Sequence, residues 1–260
     1  MILQNGLMHT LQFGSEALAI AFPIVATVLV IAVSYLLGSI NSAIIVSKLV
    51  YRDDVRKYGS GNPGTTNMLR TFGKKAALLT LLGDMLKTVI SILFAALLFG
   101  FQYVGGVSSG DGLCYIAGMF AILGHIFPIY YRFKGGKGVL CTATMALILS
   151  PIPFLIVFLI FVITVASTKY VSLGSVFGGV LYPVVLHGYF KFLGALINPK
   201  SEIPFLQNGM IALASIIAAI LIVWCHRANL QRISDRTENK ISFKKKLAEP
   251  KEEAEDNDEE

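Results

Sequence analysis

Two short polar stretches carry the residue types that could do chemistry. The first, Gly59 to Arg70, reads GSGNPGTTNMLR. Gly59, Gly61, Gly64 and Pro63 lie within six residues, so the backbone can turn through positive φ and aim successive N–H groups at one ligand. Ser60, Asn62, Thr65, Thr66 and Asn67 add neutral hydrogen-bonding groups, and Arg70 adds a bidentate cation. Together they form a donor set for a phosphomonoester or a developing oxyanion. Turn formers of these types also make an ordinary solvated loop, and composition alone favours that simpler reading.

The second stretch, Lys134-Gly135-Gly136-Lys137-Gly138, supplies two ammonium groups on a glycine-rich backbone, again suited to phosphate. It is not a nucleotide-binding P-loop. The first glycine of that pattern is missing, and no Ser or Thr follows Lys137 directly. Two further polar clusters are KYVSLGS, with Ser172, and HRANLQR, with His226 and Asn229, followed by TEN with Glu238. Ser60, Ser172 and His226 could bind or orient a reacting hydroxyl. Ser60 lacks a GxSxG elbow, so a covalent acyl-enzyme is not indicated. The HxxxxD pair of acyl-CoA-dependent glycerolipid acyltransferases is also missing: Gly14, Tyr130, Phe192 and Gln231 stand five residues after His9, His125, His187 and His226. These residue types suit group transfer onto a phosphorylated acceptor, with backbone N–H groups stabilising an acyl oxyanion.

The elements that must position these groups are membrane spans. The chain has 260 residues, 55% hydrophobic and only 15% charged, with a mean hydropathy of +0.68, as in an all-α polytopic membrane protein. Seven spans are expected: Ala17 to about Ile45, Ala76–Tyr103, Leu113–Tyr131, Val139 to about Pro153, Phe154–Thr168, Val176 to about Phe192, and Gly209–Trp224. The net charge of +6 is gathered in a few loops. Arg52, Arg56, Lys57, Arg70, Lys74 and Lys75 place 51–75 in the cytoplasm, while 105–112, SPIPF and 198–208 are nearly free of basic residues and lie outside. An odd number of spans puts the N-terminus outside and the C-terminus in the cytoplasm. All four polar clusters then fall on the cytoplasmic face, and that asymmetry is the main argument for a site.

Within the spans, Asp84 and Lys87 sit three apart on one helical face, where an ion pair lowers the cost of burying each, chiefly as a structural support. Gly38, Ser39, Asn41 and Ser42 suit either close helix packing or an interior site. His125 is the unusual residue of the third span. Cys114, Cys141 and Cys225 are isolated, which argues against a metal site or disulfides. The N-terminus has no secretory signal pattern and is expected to be retained. The basic loops read as topology signals, so a nucleic-acid partner is a poor reading of the charge. Residues 1–236 form one integral membrane domain. Residues 237–260, with Lys240, Lys244 to Lys246 and then an acidic run from Glu249, read as a charged, disordered tail.

In order along the chain, GSI at 38–40, GSGNPGTTNMLRTFG at 59–73, Asp84 with Lys87, GHIFPIYYRFKGGKGV at 124–139, YVSL at 170–173 and HRANLQR with TENKI resemble the bacterial acyl-phosphate-dependent glycerol-3-phosphate acyltransferases. The resemblance runs from about Tyr35 to Ile241. It implies a seven-helix enzyme of the bacterial cytoplasmic membrane with its active site facing the cytoplasm. Such an enzyme transfers a fatty acyl group from acyl phosphate to the 1-hydroxyl of glycerol 3-phosphate, giving lysophosphatidic acid and inorganic phosphate. It further implies that Ser60 and Arg70 line the site, that Arg70 and Lys137 hold phosphate, that Ser172, His226 and Asn229 complete the pocket, and that Glu238 fills a family acidic position. Neither a metal nor another cofactor is implied. The partners are acyl phosphate, glycerol 3-phosphate, membrane lipid and the enzyme that supplies acyl phosphate. The chain departs from the family pattern at GSINSA in place of GSIPxG, at Thr65, at Thr88 and at Leu140-Cys141.

A transporter for a phosphorylated or anionic solute is the main rival. It predicts polar residues deep in several spans and basic groups on the outer face, and the sequence has neither pattern. A scaffold without chemistry leaves the four polar clusters unexplained.

Overall fold

The computed structural model describes residues 6–7, 15–100, 103–104, 107–108, 112–194 and 205–241. Most of the loop at 198–208, expected outside, and the acidic run from Glu249 lie outside the described residues. The helices are α1 (Glu16–Ser39), α2 (Ser42–Val50), α3 (Thr65–Thr71), α4 (Lys74–Phe99), α5 (Leu113–Ile126), α6 (Val139–Leu149), α7 (Pro151–Thr168), α8 (Val171–Gly188) and α9 (Phe205–Ser234). Short 3-10 turns occupy Val55–Lys57 and Ile129–Tyr131. Among the described residues the one sheet is a two-residue ribbon, β1 (Tyr103–Val104) against β2 (Val107–Ser108).

Six helical segments are long and apolar enough to cross a membrane: Glu16–Val50, Lys74–Phe99, Leu113–Tyr131, Pro151–Thr168, Val171–Phe192 and Asn208–Ser234. The expected fourth span is the eleven-residue α6. At about 1.5 Å per residue it is roughly 16 Å long, well short of a hydrocarbon core of about 30 Å. The first span also differs from expectation, because α1 stops at Ser39. Ile40 and Asn41 are extended, and the Asn41 side chain accepts from Ile44 N at 3.0 Å, capping α2. Asn41 thus starts the new helix where the family pattern has a proline.

The chain forms two compact units, one within Met1–Ile40 and Asp84–Ile241, the other from Asn41–Gly83. In the larger unit α5 packs on α1, α6 and α9, and α8 packs on α7 and α9. Its core includes Tyr115, Ile122, Met145, Leu149, Leu186 and Ile211. Buried polarity is inside and large apolar side chains are outside: Ser34 and Ser39 are fully buried, while Leu155, Leu159 and Ile163 are each more than half exposed along α7. Buried hydroxyls on the helices return to carbonyls one turn earlier, Ser39 to Tyr35 O at 2.8 Å and Thr88 to Asp84 O at 3.0 Å.

Gly38 and Gly124 let α1 and α5 approach backbone to backbone. A Cβ on Gly38 would lie 2.3 Å from Ala121 O, and one on Gly124 would lie 2.2 Å from Tyr35 O. Close packing therefore explains Gly38. Gly124→Ala is expected to cost about 1–3 kcal/mol, by the usual penalty for overpacking. A thermal-unfolding midpoint unchanged from the native chain would contradict this.

The smaller unit has its own core of Ala43, Val55, Met68 and Ala76. Tyr51 stacks on Phe72 with ring centroids 4.7 Å apart.

Candidate active site

In the smaller unit the GSGNPG stretch is a shaped loop followed by a helix, since TTNMLRT forms α3. Its organiser is Asn67, only 2% exposed. The Asn67 amide donates to Val55 O at 3.2 Å and Tyr58 O at 3.0 Å, and its oxygen accepts from Ser60 N at 3.2 Å. Asn67, expected among the substrate ligands, has its side chain occupied in holding the loop. Gly59 (φ 56°) and Gly61 (φ 71°) take the positive-φ conformation anticipated for them. Gly59 is doubly required, because a Cβ there would lie 2.4 Å from Asn67 Oδ1. Gly64 is extended and caps α3 ahead of Thr65 without a side-chain bond. Ser60 is exposed, its hydroxyl accepting from Asn62 N at 3.4 Å, and Arg70 is half-buried in the last turn of α3.

In the larger unit the other three clusters meet in one hydrogen-bonded network. HRANLQR was expected beyond the end of a span. Instead it continues α9 to Ser234, because Ala, Leu, Gln and Arg sustain a helix as well as the apolar run before them. His226, Asn229 and Arg232 therefore share one face at three-residue spacing. Ser172, expected at the start of its span, lies in the first turn of α8, which opens after a tight turn at Lys169 (φ 63°). Lys137 Nζ donates to Asn229 Oδ1. Asn229 Nδ2 donates to Glu238 Oε1 at 2.6 Å, and Ser172 Oγ donates to the same oxygen at 2.9 Å. Arg232 Nε donates to Glu238 Oε2 at 2.8 Å. The segment 237–241, expected as part of a disordered tail, is packed: Thr237 N and Glu238 N donate to Arg232 O, and Ile241 N donates to Lys169 O at 2.8 Å.

His226 is buried, with Nδ1 2.8 Å from Ile222 O. A carbonyl only accepts, so Nδ1 carries a proton and is committed to the helix backbone. The Ser172 hydroxyl is committed to a carboxylate. The network therefore contains no serine–histidine pair, in keeping with direct transfer.

Burial on its own would raise the Glu238 carboxyl. Hydrogen bonds from Asn229, Arg232 and Ser172 outweigh it and hold the group below its ordinary value. A carboxyl lowered on folding stabilises the fold above its unfolded value of about 4.3, and that contribution fades as pH falls through the lower native value. The stability difference between the native chain and Glu238→Gln is expected to be full above pH ~4.3 and to shrink below it. A difference that does not vary across an acid titration would contradict this role.

The glycines of the second loop differ in their reasons. Gly138 has φ 75° and begins α6. Gly135 and Gly136 were expected to give a phosphate-cradling backbone, but close packing is what requires them. A Cβ on Gly135 would lie 2.1 Å from His125 O, and one on Gly136 would lie 2.1 Å from His125 Nε2. Gly136 N donates to His125 O at 3.0 Å and Gly135 N to Ile126 O at 3.1 Å. Lys134 beside them is exposed. Behind the loop, Lys87 Nζ lies 3.0 Å from Asp84 Oδ1 and donates to Gly38 O at 3.0 Å and Ile40 O at 2.7 Å. The anticipated ion pair thus also ties the end of α1, next to Ser39, whose hydroxyl accepts from Ile129 N at 3.4 Å.

The family model described as Glycerol-3-phosphate acyltransferase matches residues 28–236, a span that includes Lys137, Ser172, His226, Asn229 and Arg232. The chain belongs to this glycerol-3-phosphate acyltransferase family. It is 37% identical over 218 residues to a glycerol-3-phosphate acyltransferase of Paraburkholderia phytofirmans, covering 84% of this chain and 92% of that one. It is likewise 37% identical over 214 residues to glycerol-3-phosphate acyltransferase 2 of Bacillus anthracis, covering 82% and 98%. Among solved structures it is similar to PlsY, an integral membrane glycerol 3-phosphate acyltransferase in its glycerol 3-phosphate form. The TM-score is 0.69 at 28% identity, over 83% of this chain and 96% of that one. The same protein in its lysophosphatidic acid form gives 0.67.

The acyltransferase is an all-helical integral membrane protein. Arg232 is the site residue that reading the sequence overlooked. The signal was present in its spacing, one helical turn after Asn229 and six residues before Glu238.

Proposed function

We propose that this acyltransferase moves a fatty acyl group from acyl phosphate to the 1-hydroxyl of glycerol 3-phosphate. The hydroxyl oxygen bonds to the acyl carbonyl carbon, and the bond from that carbon to the phosphate oxygen breaks. Inorganic phosphate leaves carrying the hydroxyl proton, and lysophosphatidic acid remains. The observation that carries this reading is the buried network joining Lys137 to Asn229, Glu238 and Ser172, with Asn229 on the helix that also carries the buried His226. It presents a cation, a carboxylate and uncharged hydrogen-bonding groups but no serine–histidine pair. Such a site suits a donor whose leaving phosphate accepts the proton itself. Lys137 binds phosphate; Ser172 and His226 orient the reacting groups; Asn229 and Glu238 hold Lys137 in place.

In the smaller unit, Arg70 binds phosphate and Ser60 supplies a hydroxyl. A charge-assisted bond to phosphate contributes about 1.5–3 kcal/mol, so Arg70→Ala is expected to raise KM for glycerol 3-phosphate roughly ten- to a hundredfold. An unchanged KM would remove Arg70 from the site. The enzyme lies in the bacterial cytoplasmic membrane with seven membrane segments, α6 being the short one. Its N-terminus is outside, and its C-terminus and active site face the cytoplasm, where an enzyme making acyl phosphate supplies the donor. The basic residues of 51–75 support that orientation.

The donor is tested by offering the purified protein palmitoyl phosphate, palmitoyl-coenzyme A or palmitoyl-acyl carrier protein with glycerol 3-phosphate and measuring lysophosphatidic acid by mass spectrometry. Product from palmitoyl phosphate alone is expected. Product only from a thioester would overturn the choice of donor, and solute uptake into liposomes without any product would favour a transporter.

A further inference from the structure

The buried Asp84–Lys87–His125 group lies outside the Lys137 network and has no part in the transfer described above. Its three side chains are each no more than 5% exposed, in a region where every charge needs partners. Lys87 has them: Asp84 Oδ1, the carbonyls of Gly38 and Ile40, and His125 Nδ1 at 2.8 Å. Lys87 Nζ and His125 Nδ1 thus share a hydrogen bond that ties the ring to the ammonium's other partners. Asp84 Oδ1 stands 3.6 Å from the same Nδ1, so Lys87 is the nearer of the two groups at that nitrogen.

The oriented ring meets Gly136. The position a Gly136 Cβ would take is 2.1 Å from Nε2, 2.9 Å from Cε1 and 3.1 Å from Cδ2, so the glycine packs closely on the Nε2 edge of the ring. The His125 carbonyl holds the same residue from behind through Gly136 N at 3.0 Å. Gly136 is thus fixed from two sides by one residue, and the next residue along the chain is Lys137.

We infer that Lys87 is a positioning residue for Lys137, acting through His125 and Gly136. The ammonium that ties the end of α1 also sets the ring on which the glycine loop rests, and that rest places the Lys137 amine on Asn229. The inference rests on the reading of Lys137 as the phosphate-binding cation. It assigns Lys87 and His125 no contact with substrate.

The test is a double-mutant cycle on the full chain in detergent, with kcat and KM measured for glycerol 3-phosphate and for palmitoyl phosphate. Displacing a group by about 1 Å can cost on the order of a hundredfold, and Lys87→Met is expected to approach that loss in kcat/KM while the protein stays monodisperse. In the Lys137→Ala background the same substitution is expected to add less than about threefold, because the side chain it positions is gone. Losses that multiply would overturn the inference and leave Lys87 a general support of the fold.

If Lys87→Met does not yield folded protein, Gly136→Ala and His125→Ala decide the matter. Gly136→Ala presses a methyl group onto the ring and is expected to lower kcat/KM about tenfold or more; truncating His125 removes that clash, so the same change is then expected to cost under about threefold. An equal cost in both backgrounds would overturn the inference. If Lys137→Ala alone leaves both KM values unchanged, the fault lies in the assignment of Lys137 and with it the functional reading, an outcome separable from additivity in the cycle.

Discussion

Lys137→Met is expected to lower kcat/KM for acyl transfer by roughly ten- to a hundredfold, the equivalent of the ~1.5–3 kcal/mol that a charge-assisted hydrogen bond to phosphate contributes. The lysine reaches its place from a loop whose two preceding residues are glycines packed on His125, and its amine donates to Asn229 Oδ1. Lys137→Arg is not expected to restore activity. A guanidinium is a rigid fork that seeks two acceptors in one plane, whereas Asn229 offers one. Initial rates across both substrates check this, with the thermal-unfolding midpoint as the control for folding. Full activity in either variant would contradict the assignment.

Asn229→Leu is expected to cost on the order of a hundredfold in kcat/KM, the scale of a misplaced catalytic group. Asn229 joins a cation to an anion without being either: its oxygen accepts from Lys137 and its amide donates to Glu238. Removing it takes the Oδ1 acceptor from Lys137 and one of three side-chain donors from Glu238. The near-isosteric Asn229→Asp is the sharper variant. It fills the same space but has no hydrogen to donate, so two carboxylates face each other where the amide lay 2.6 Å from Glu238 Oε1. It also pairs its charge with Lys137 in competition with phosphate. Asp is therefore expected to be at least as damaging as Leu. Activity near the native level in Asn229→Asp would mean that shape alone matters at this position.

Local patterns in the sequence carried much of this structure. The apolar runs located the spans, the proline-bounded turn SPIPF split α6 from α7 as expected, and Gly59 and Gly61 take the left-handed conformation that their setting suggested. Features that depend on distant partners were not visible. Lys87 finds Gly38 O and His125 from 49 and 38 residues away, and no spacing rule announces such a contact. Gly135 and Gly136 looked like ligand-binding glycines because composition does not separate a backbone that must bend from one that must pack against a ring. The continuation of α9 through His226 was missed for another reason. Polarity marks where a helix leaves the hydrocarbon, but it does not end a helix whose residues still favour one. Asn67 was read as a ligand by its type, and its three bonds to the loop's own backbone appear only once the loop is folded.

Acceptor-dependent phosphate release is the most direct consequence of acyl transfer from acyl phosphate. Purified protein is given palmitoyl phosphate with and without glycerol 3-phosphate, in the presence of EDTA, and inorganic phosphate and lysophosphatidic acid are measured together. The expected result is one phosphate released for each lysophosphatidic acid formed, no release without the acceptor, and no loss on chelation. Release that ignores glycerol 3-phosphate, or product formed without phosphate, would contradict direct acyl transfer from acyl phosphate.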